Sequence, residues 1–410
     1  RITFPPGQVG GMWQFLHPFS KAFTLIHPSC QCFIPCLPQG QGHYPILLVD
    51  TQQVGYYKKI VKEFNKKYPK IKVRVTQSPN GSAQAKTDVG KDPAKAADVF
   101  EVPNDQLGQM AESGYINPLS PDAVKQIKAD NVPEAYKGVE WKGKVYAYPF
   151  AEQAQTLYYN KSKLSASDVK DWKTLTSKGV VATDFTNAYT MFPVFFTAGN
   201  KLFGANGEDP KGSTVASENG VAALKWFAEQ KGNKGVMQTS NGLNQLKKDK
   251  AQAILDGPWN AANIKKILGK NFAVTVYPKI NVAGKDAPMQ AFLGIEGFAV
   301  NSHTSNAKNA TLLAAFITNK AAQLVAHKEA GQIPVNKAAQ ASDEIKNDDV
   351  AKAVIAMAKK QSVLMPKLSQ MAIFWDGASP LISGAYDGKI KADQFKAQLD
   401  KFAAKISKKN

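Results

Sequence analysis

The chain has 410 residues, 43% of them hydrophobic and 10% aromatic, with a formal net charge of +19. That length and apolar content predict a large core divided over two or more domains, while Pro18, Lys21, Pro28, Pro35 and Pro38 break the early apolar stretch and exclude a membrane helix of roughly 20 residues there. Arg1 and Arg74 are the only arginines, and the lysines are spread along helices rather than interleaved with aromatics, so the charge reads as a solvated coat facing an anionic surface and not as a nucleic-acid site.

Residues 1–49 contain no Asp or Glu, seven of the 23 prolines and all three cysteines. They lack the basic start, unbroken apolar run and small-residue cleavage site of a signal peptide, so 1–45 are set apart as an anomalous, disordered leader. Cys30, Cys32 and Cys36 in CQCFIPC have no second ligand pair at zinc spacing, and no metal is expected. A chain without a disulfide framework folds in any redox compartment.

Regular patterning begins near Ile46. The apolar run ILLV is followed by a helix with Tyr57, Ile60, Val61 and Phe64 on one face. IKVRVT (71–76) and DVFEV (98–102) read as strands, the second closed by Pro103-Asn104-Asp105 and a short helix ending at Gly114. This is an α/β lobe, and in such sheets ligands sit beyond the carboxyl ends of strands, which singles out residues 50–53 and Asn104-Asp105. WKGKVYAYP predicts a hairpin turning at Lys142-Gly143, then an extended run from Tyr148 to Tyr159. A second α/β set follows, with a helix carrying Val221, Leu224, Phe227 and Ala228 and a strand at 273–277. GFAVN (297–301) reads as a strand, 308–318 as a helix, and Phe395, Leu399, Phe402 and Ile406 form a closing apolar stripe.

Three aromatics stand beside backbone punctuators: Tyr189 in FTNAYTMFP, Trp259 in DGPWNAAN and Trp375 in MAIFWDGASP. Flat rings near amides and carboxylates suit sugar rings, whose C–H faces stack while their hydroxyls take polar partners. Enzymatic alternatives mostly lack parts. Gly138 to Lys144 has phosphate-loop spacing, but Val145 stands where a hydroxyl would hold magnesium. Only His303 and His327 lie outside the leader, and no HExxH or GxSxG occurs. Glycoside hydrolysis needs two carboxylates, and Glu101, Asp105, Glu152, Asp256, Glu296 and Asp376 are available. The residues alone thus leave carbohydrate capture, glycoside hydrolysis and adhesion to an anionic polymer open.

YPFAEQAQTLYYNK (148–161), DGPW (256–259) followed by NAANI, AVTVYP (273–278) and LMPKLSQMAIFW (364–375), supported by DVFEVPNDQLGQMAESG (98–114), resemble the extracytoplasmic maltose/maltodextrin-binding proteins of bacterial ABC importers. The resemblance runs from about residue 46 to the C-terminus. It implies a two-lobed α/β clamp of the type II periplasmic-binding-protein kind. On that pattern 46–152 and 297–336 form the first lobe, 153–296 and 337–410 the second. Crossings fall near Glu152 to Gln155, Phe292 to Gly297 and Asn336 to Ala339, acting as hinges.

By the same resemblance Tyr189, Trp259 and Trp375 stack on sugar, and Asp105 accepts hydrogen bonds from its hydroxyls. Gln153, Asn187, Gln52 and Gln53 supply amides where the family often carries charge, Met365 pads the cleft, and Glu152 and Asp376 complete the site. Leu48 and Val102 replace ring positions of well-known members, and Asp376 stands where an aromatic is common, so stacking is expected mainly from the second lobe. The implied protein is a monomeric, non-enzymatic, cofactor-free receptor. It captures an α-glucan oligosaccharide outside the cell and delivers it to ABC permease subunits. It is lipid-anchored by family, although FIPC at Cys36 lacks the small residues expected of an anchor. A receptor for another oligosaccharide is the alternative.

Overall fold

The computed structural model describes residues 46–49, 54–78 and 81–408. The leader 1–45 with its three cysteines, and Gln52 and Gln53, lie outside the described residues. In chain order the strands are β1 (Ile46–Val49), β2 (Arg74–Gln77), β3 (Val99–Pro103), β4 (Glu140–Trp141), β5 (Lys144–Val145), β6 (Tyr148–Ala154), β7 (Thr156–Asn160) and β8 (Val181–Thr183). There follow β9 (Val236–Gln238), β10 (Ala253–Asp256), β11 (Phe272–Thr275), β12 (Lys279–Val282), β13 (Lys285–Pro288), β14 (Ala291–Val300), β15 (Ile333–Pro334) and β16 (Ser362–Leu364).

They form two principal sheets. The first runs β15-β6-β14-β3-β1-β2, with β16 also on β14, and the second runs β11-β7-β10-β8-β9. Strands joined through helices pair in parallel, as β1 does with β2 and β3, and β8 with β9 and β10. Such crossovers cover a sheet on both faces, which is why all five residues of β3 are buried. Against β2 packs the helix Val54–Lys67, whose Tyr57 meets Phe150 of β6 and Phe298 of β14 at 5.7 and 5.3 Å between ring centres. In the second lobe the helix Met371–Asp387 packs on Glu218–Gln230 and Phe395–Ile406, and Phe185 stacks on Tyr386 at 4.2 Å and 10°.

The short β4–β5 hairpin turns through Lys142 and Gly143, both with positive φ (47° and 77°). That is the twist a two-residue hairpin loop requires, and it removes the phosphate-loop geometry from this stretch.

Passage between the lobes is concentrated in a few residues. β6 belongs to the first sheet and β7 to the second, with Gln155 alone between them. Gln155 is buried and its Oε1 accepts from Tyr277 Oη at 3.0 Å. Three assignments differ from the sequence reading, which placed 153–296 and 337–410 in the second lobe. Gln153 and Ala154 still belong to β6 of the first sheet, residues 291–296 already belong to β14 there, and β16 returns to pair in parallel with Ala291 to Leu293. β14 is buried from Ala291 to Ala299 and so shows no polar alternation, while β16 is three residues long. Neither carries a period-2 signal.

The segment after β16 is pinned to both lobes. Lys367, 4% exposed, donates from Nζ to Lys137 O at 2.6 Å and lies 3.4 Å from Glu208 of the second lobe. Burial lowers its ammonium pKa, and the Glu208 carboxylate opposes that.

Candidate functional site

Tyr189 opens the helix Ala188–Met191, whose N-cap is Asn187: its Oδ1 accepts from the backbone N of Tyr189 (3.0 Å) and Thr190 (3.4 Å). An Asn cap satisfies the free amides of a first turn and fixes its direction, which fixes the ring. Asn187 is exposed, and its Nδ2 makes no hydrogen bond among the described residues.

Trp259 sits in the 3-10 turn Pro258–Asn260 that follows β10. Here the carboxylate of Asp256 organises the turn. It accepts from Gly257 N at 2.7 Å and from Asn260 Nδ2 at 2.9 and 3.1 Å, and the Gly257 carbonyl accepts from Tyr158 Oη at 3.2 Å. Burial pushes Asp256 up to about 6, with hydrogen bonds from Gly257, Asn260 and Trp259 working against the rise. A Cβ on Gly257 would fall 2.2 to 2.4 Å from three indole atoms of Trp259, so the ring lies over this glycine.

Trp375 projects from the start of the helix Met371–Asp387 and packs on Phe374 at 4.7 Å. Tyr189 is the hub of the three: its ring centre is 6.1 Å from Trp259 and 6.4 Å from Trp375. All three rings are partly exposed. Beneath them lies Phe292 of β14, 1% exposed, stacked on Tyr189 at 5.9 Å and 21° and edge-on to Trp375 at 5.5 Å. A first-sheet strand therefore backs rings carried by the second lobe.

The remaining polar groups follow from strand alternation. Phe292, Gly294 and Glu296 share one face of β14. A Cβ on Gly294 would meet Met365 Cε at 3.3 Å and Gln153 Cβ at 3.9 Å, which puts Met365 and Gln153 on the ring side of the sheet. Asn104 ties this region together, donating to Met365 O at 2.7 Å and accepting from Ile295 N at 3.0 Å. The next residue, Asp105, is in the first turn of the helix Asn104–Glu112, and burial pushes its carboxyl up to about 6 against its own backbone hydrogen bond. Tyr189 is shifted upward by burial first and then by the charges of Glu296 and Asp105, and Glu296 shares the Phe292 face of β14.

Two predicted members stand apart. Glu152 pairs in register with Ile295, not Gly294, and so projects from the opposite face. It is 1% exposed and its Oε1 accepts from Gln340 Nε2 at 3.0 Å. Burial pushes it up to about 8, Glu134 adds to that, and Lys359 and Gln340 oppose it. The expectation that it lies with the rings is corrected by the one-residue alternation of β6. Asp376 is exposed one position past Trp375, about 100° round the helix. Gln52 and Gln53 lie outside the described residues.

Phe292 went unread in the sequence as a neighbour of the rings, while Glu296 and Asp256 were read only as carboxylates available for hydrolysis and not as a strand acid beside the rings and the organiser of a turn. The available signal was Glu296 itself, an acid within the apolar run AFLGIEGFAV, since a buried charge needs a local reason. Among the described residues no group of His, Cys, Asp and Glu could hold a metal ion, and no helix is long and apolar enough to cross a membrane.

Residues 59–353 match the family model described as bacterial extracellular solute-binding protein. A maltooligosaccharide ABC transporter solute-binding lipoprotein of Streptococcus pneumoniae is 27% identical over 358 residues, 81% of this chain and 82% of that protein. A galactooligosaccharide-binding protein of Bacillus subtilis is 23% identical over 377 residues, 87% of each. Among solved structures, the maltodextrin binding protein MalE1 from L. casei BL23, without ligand, superposes with a TM-score of 0.88 at 66% identity, covering 90% of this chain and all of that one.

Proposed function

We propose, from the premise that this chain belongs to the family of bacterial extracellular solute-binding proteins, that it captures maltodextrins between its lobes and hands them to an ABC permease. It is a binding protein and not an enzyme. The observation that carries the sugar assignment is the convergence of Tyr189, Trp259 and Trp375 around one space, with Phe292 behind them. Rings in several orientations offer faces to successive pyranose units, while a carboxylate and amides take their hydroxyls.

In this reading Tyr189, Trp259 and Trp375 stack on glucose units, Asp105 accepts from hydroxyls, Gln153 and Asn187 donate through their amides, and Met365 pads the floor. Asp376 serves the rim. The clamp closes about the Gln155 crossing and the short links on either side of β14, and affinity reports the closed state. The receptor works as a monomer held at the cell surface by a lipid anchor, a reading supported by the lipoprotein name of the S. pneumoniae relative.

The test is calorimetric titration with glucose, maltose, maltotriose, maltotetraose and a galactose-containing disaccharide. Saturable one-to-one binding restricted to the maltose series supports the proposal. Heat with the galactoside alone supports the second reading, a galactooligosaccharide receptor, which the B. subtilis relative motivates.

A further inference from the structure

Away from the ring cluster, a groove of about 430 Å3 runs between the helix Val54–Lys67 and β2. It is lined by the cations Lys58, Lys62 and Arg74, the apolar Val61, Val73 and Val75, and Asn65. Between residues 54 and 77 there are eight lysines or arginines against Glu63 alone. Lys59 and Lys66 have acidic partners (Glu329 and Glu63, 2.7 Å each). Lys58, Lys62 and Arg74 are exposed and have none among the described residues.

Two features distinguish this groove from an ordinary cationic coat. First, among the described residues β2 is the terminal strand of its sheet, paired only with β1. Val73, Arg74 and Val75 are consecutive yet line the same groove, so whatever occupies it runs along the strand's open edge, where backbone N–H and C=O groups alternate. Second, the open edge presents N–H and C=O groups alike, and a peptide backbone supplies partners for both, whereas a phosphate polymer has no donor for the carbonyls.

We infer that the groove between Val54–Lys67 and β2 is a docking site for an acidic, extended polypeptide segment of a partner, added as a further strand on β2. Main-chain hydrogen bonds to the edge give affinity, as in other strand-addition complexes. Alternate acidic side chains meet Lys58, Lys62 and Arg74, and apolar ones rest on Val61, Val73 and Val75. The cations also set the sign of selectivity: a second copy of this edge is repelled, and an acidic strand is admitted.

The experiment titrates the full chain with a fluorescent peptide of about ten residues alternating glutamate and valine, while amide hydrogen exchange is followed over Arg74–Gln77. A lysine-valine peptide and polyphosphate are the controls. The expected result is saturable binding of the acidic peptide alone, slowed exchange at β2, and affinity at least about tenfold weaker in K58E/K62E/R74E with maltotriose binding unchanged. The milder K58Q/K62Q variant repeats the test should the triple reversal disturb folding. No saturable binding of the acidic peptide, binding without slowed exchange at β2, equal binding of polyphosphate, or indifference to both variants overturns the inference.

Discussion

At the scale of single residues, Gly257 is defined by its neighbour. The indole of Trp259 occupies the space where any side chain would stand, and Asp256 holds the turn so that it stays there. A methyl group at 257 overlaps backbone-anchored ring atoms by more than side-chain flexing absorbs, so the ring must leave its position. Gly257→Ala is expected to weaken maltotriose binding by roughly the 0.5–1.5 kcal/mol of a lost ring contact although residue 257 carries no group that contacts sugar. Calorimetry on the variant checks this, and unchanged affinity would remove Trp259 from the stack. The three rings were legible in the sequence because each sits beside Gly, Pro or Asn, residues that fix backbone direction. Phe292 was not, because inside a strand buried on both faces an aromatic looks like any other core residue.

Among the elements, β6 carries the sharpest division of labour. Gln153 points to the ring side, and Glu152 points the other way, to Gln340 on the helix Lys337–Gln340. The Glu152 pKa is raised on folding, so the native state holds its proton over a pH range in which the unfolded chain releases it. Stability therefore falls as pH rises from about 4.5 toward about 8. Glu152→Gln keeps the shape and removes that charge. Its melting temperature should exceed that of the parent at pH 8, with the gap closing toward pH 4.5. A gap independent of pH would place the cause elsewhere. Element by element, ILLV at 46–49 was readable as a short apolar run, and the helices around Tyr57 and Leu224 and the closing stripe to Ile406 because one face of each is polar. β16 was beyond reach: three residues are too few to show a period, and the partner that makes them a strand lies some seventy positions upstream on β14.

For the whole molecule, the proposed site joins groups from both lobes: Asp105 from the first and the ring hub Tyr189 from the second. Burial keeps the Asp105 carboxyl near 6, and only its ionised form is a charged acceptor for sugar hydroxyls. Affinity for maltotriose is expected to rise as pH increases through about 6. Asp105→Asn should bind more weakly at pH 7.5 and lose that slope, and a parent titration flat between pH 5 and 7.5 would contradict the role. The lobed plan was legible from two successive α/β patterns, but the tie through Lys367, Lys137 and Glu208 was not, since it unites residues distant in sequence.

The late return of β16 to the first sheet bears on how the protein is made. Emerging from the ribosome N-terminus first, the chain completes β1, β2, β3 and β6 early, yet the strand edge at Ala291–Leu293 stays open until residue 364 has been synthesised. By then every strand of the second sheet is already out. The first lobe to begin is thus the last to close, and that strand edge stays exposed while about seventy further residues are made, the interval in which a holding chaperone is needed.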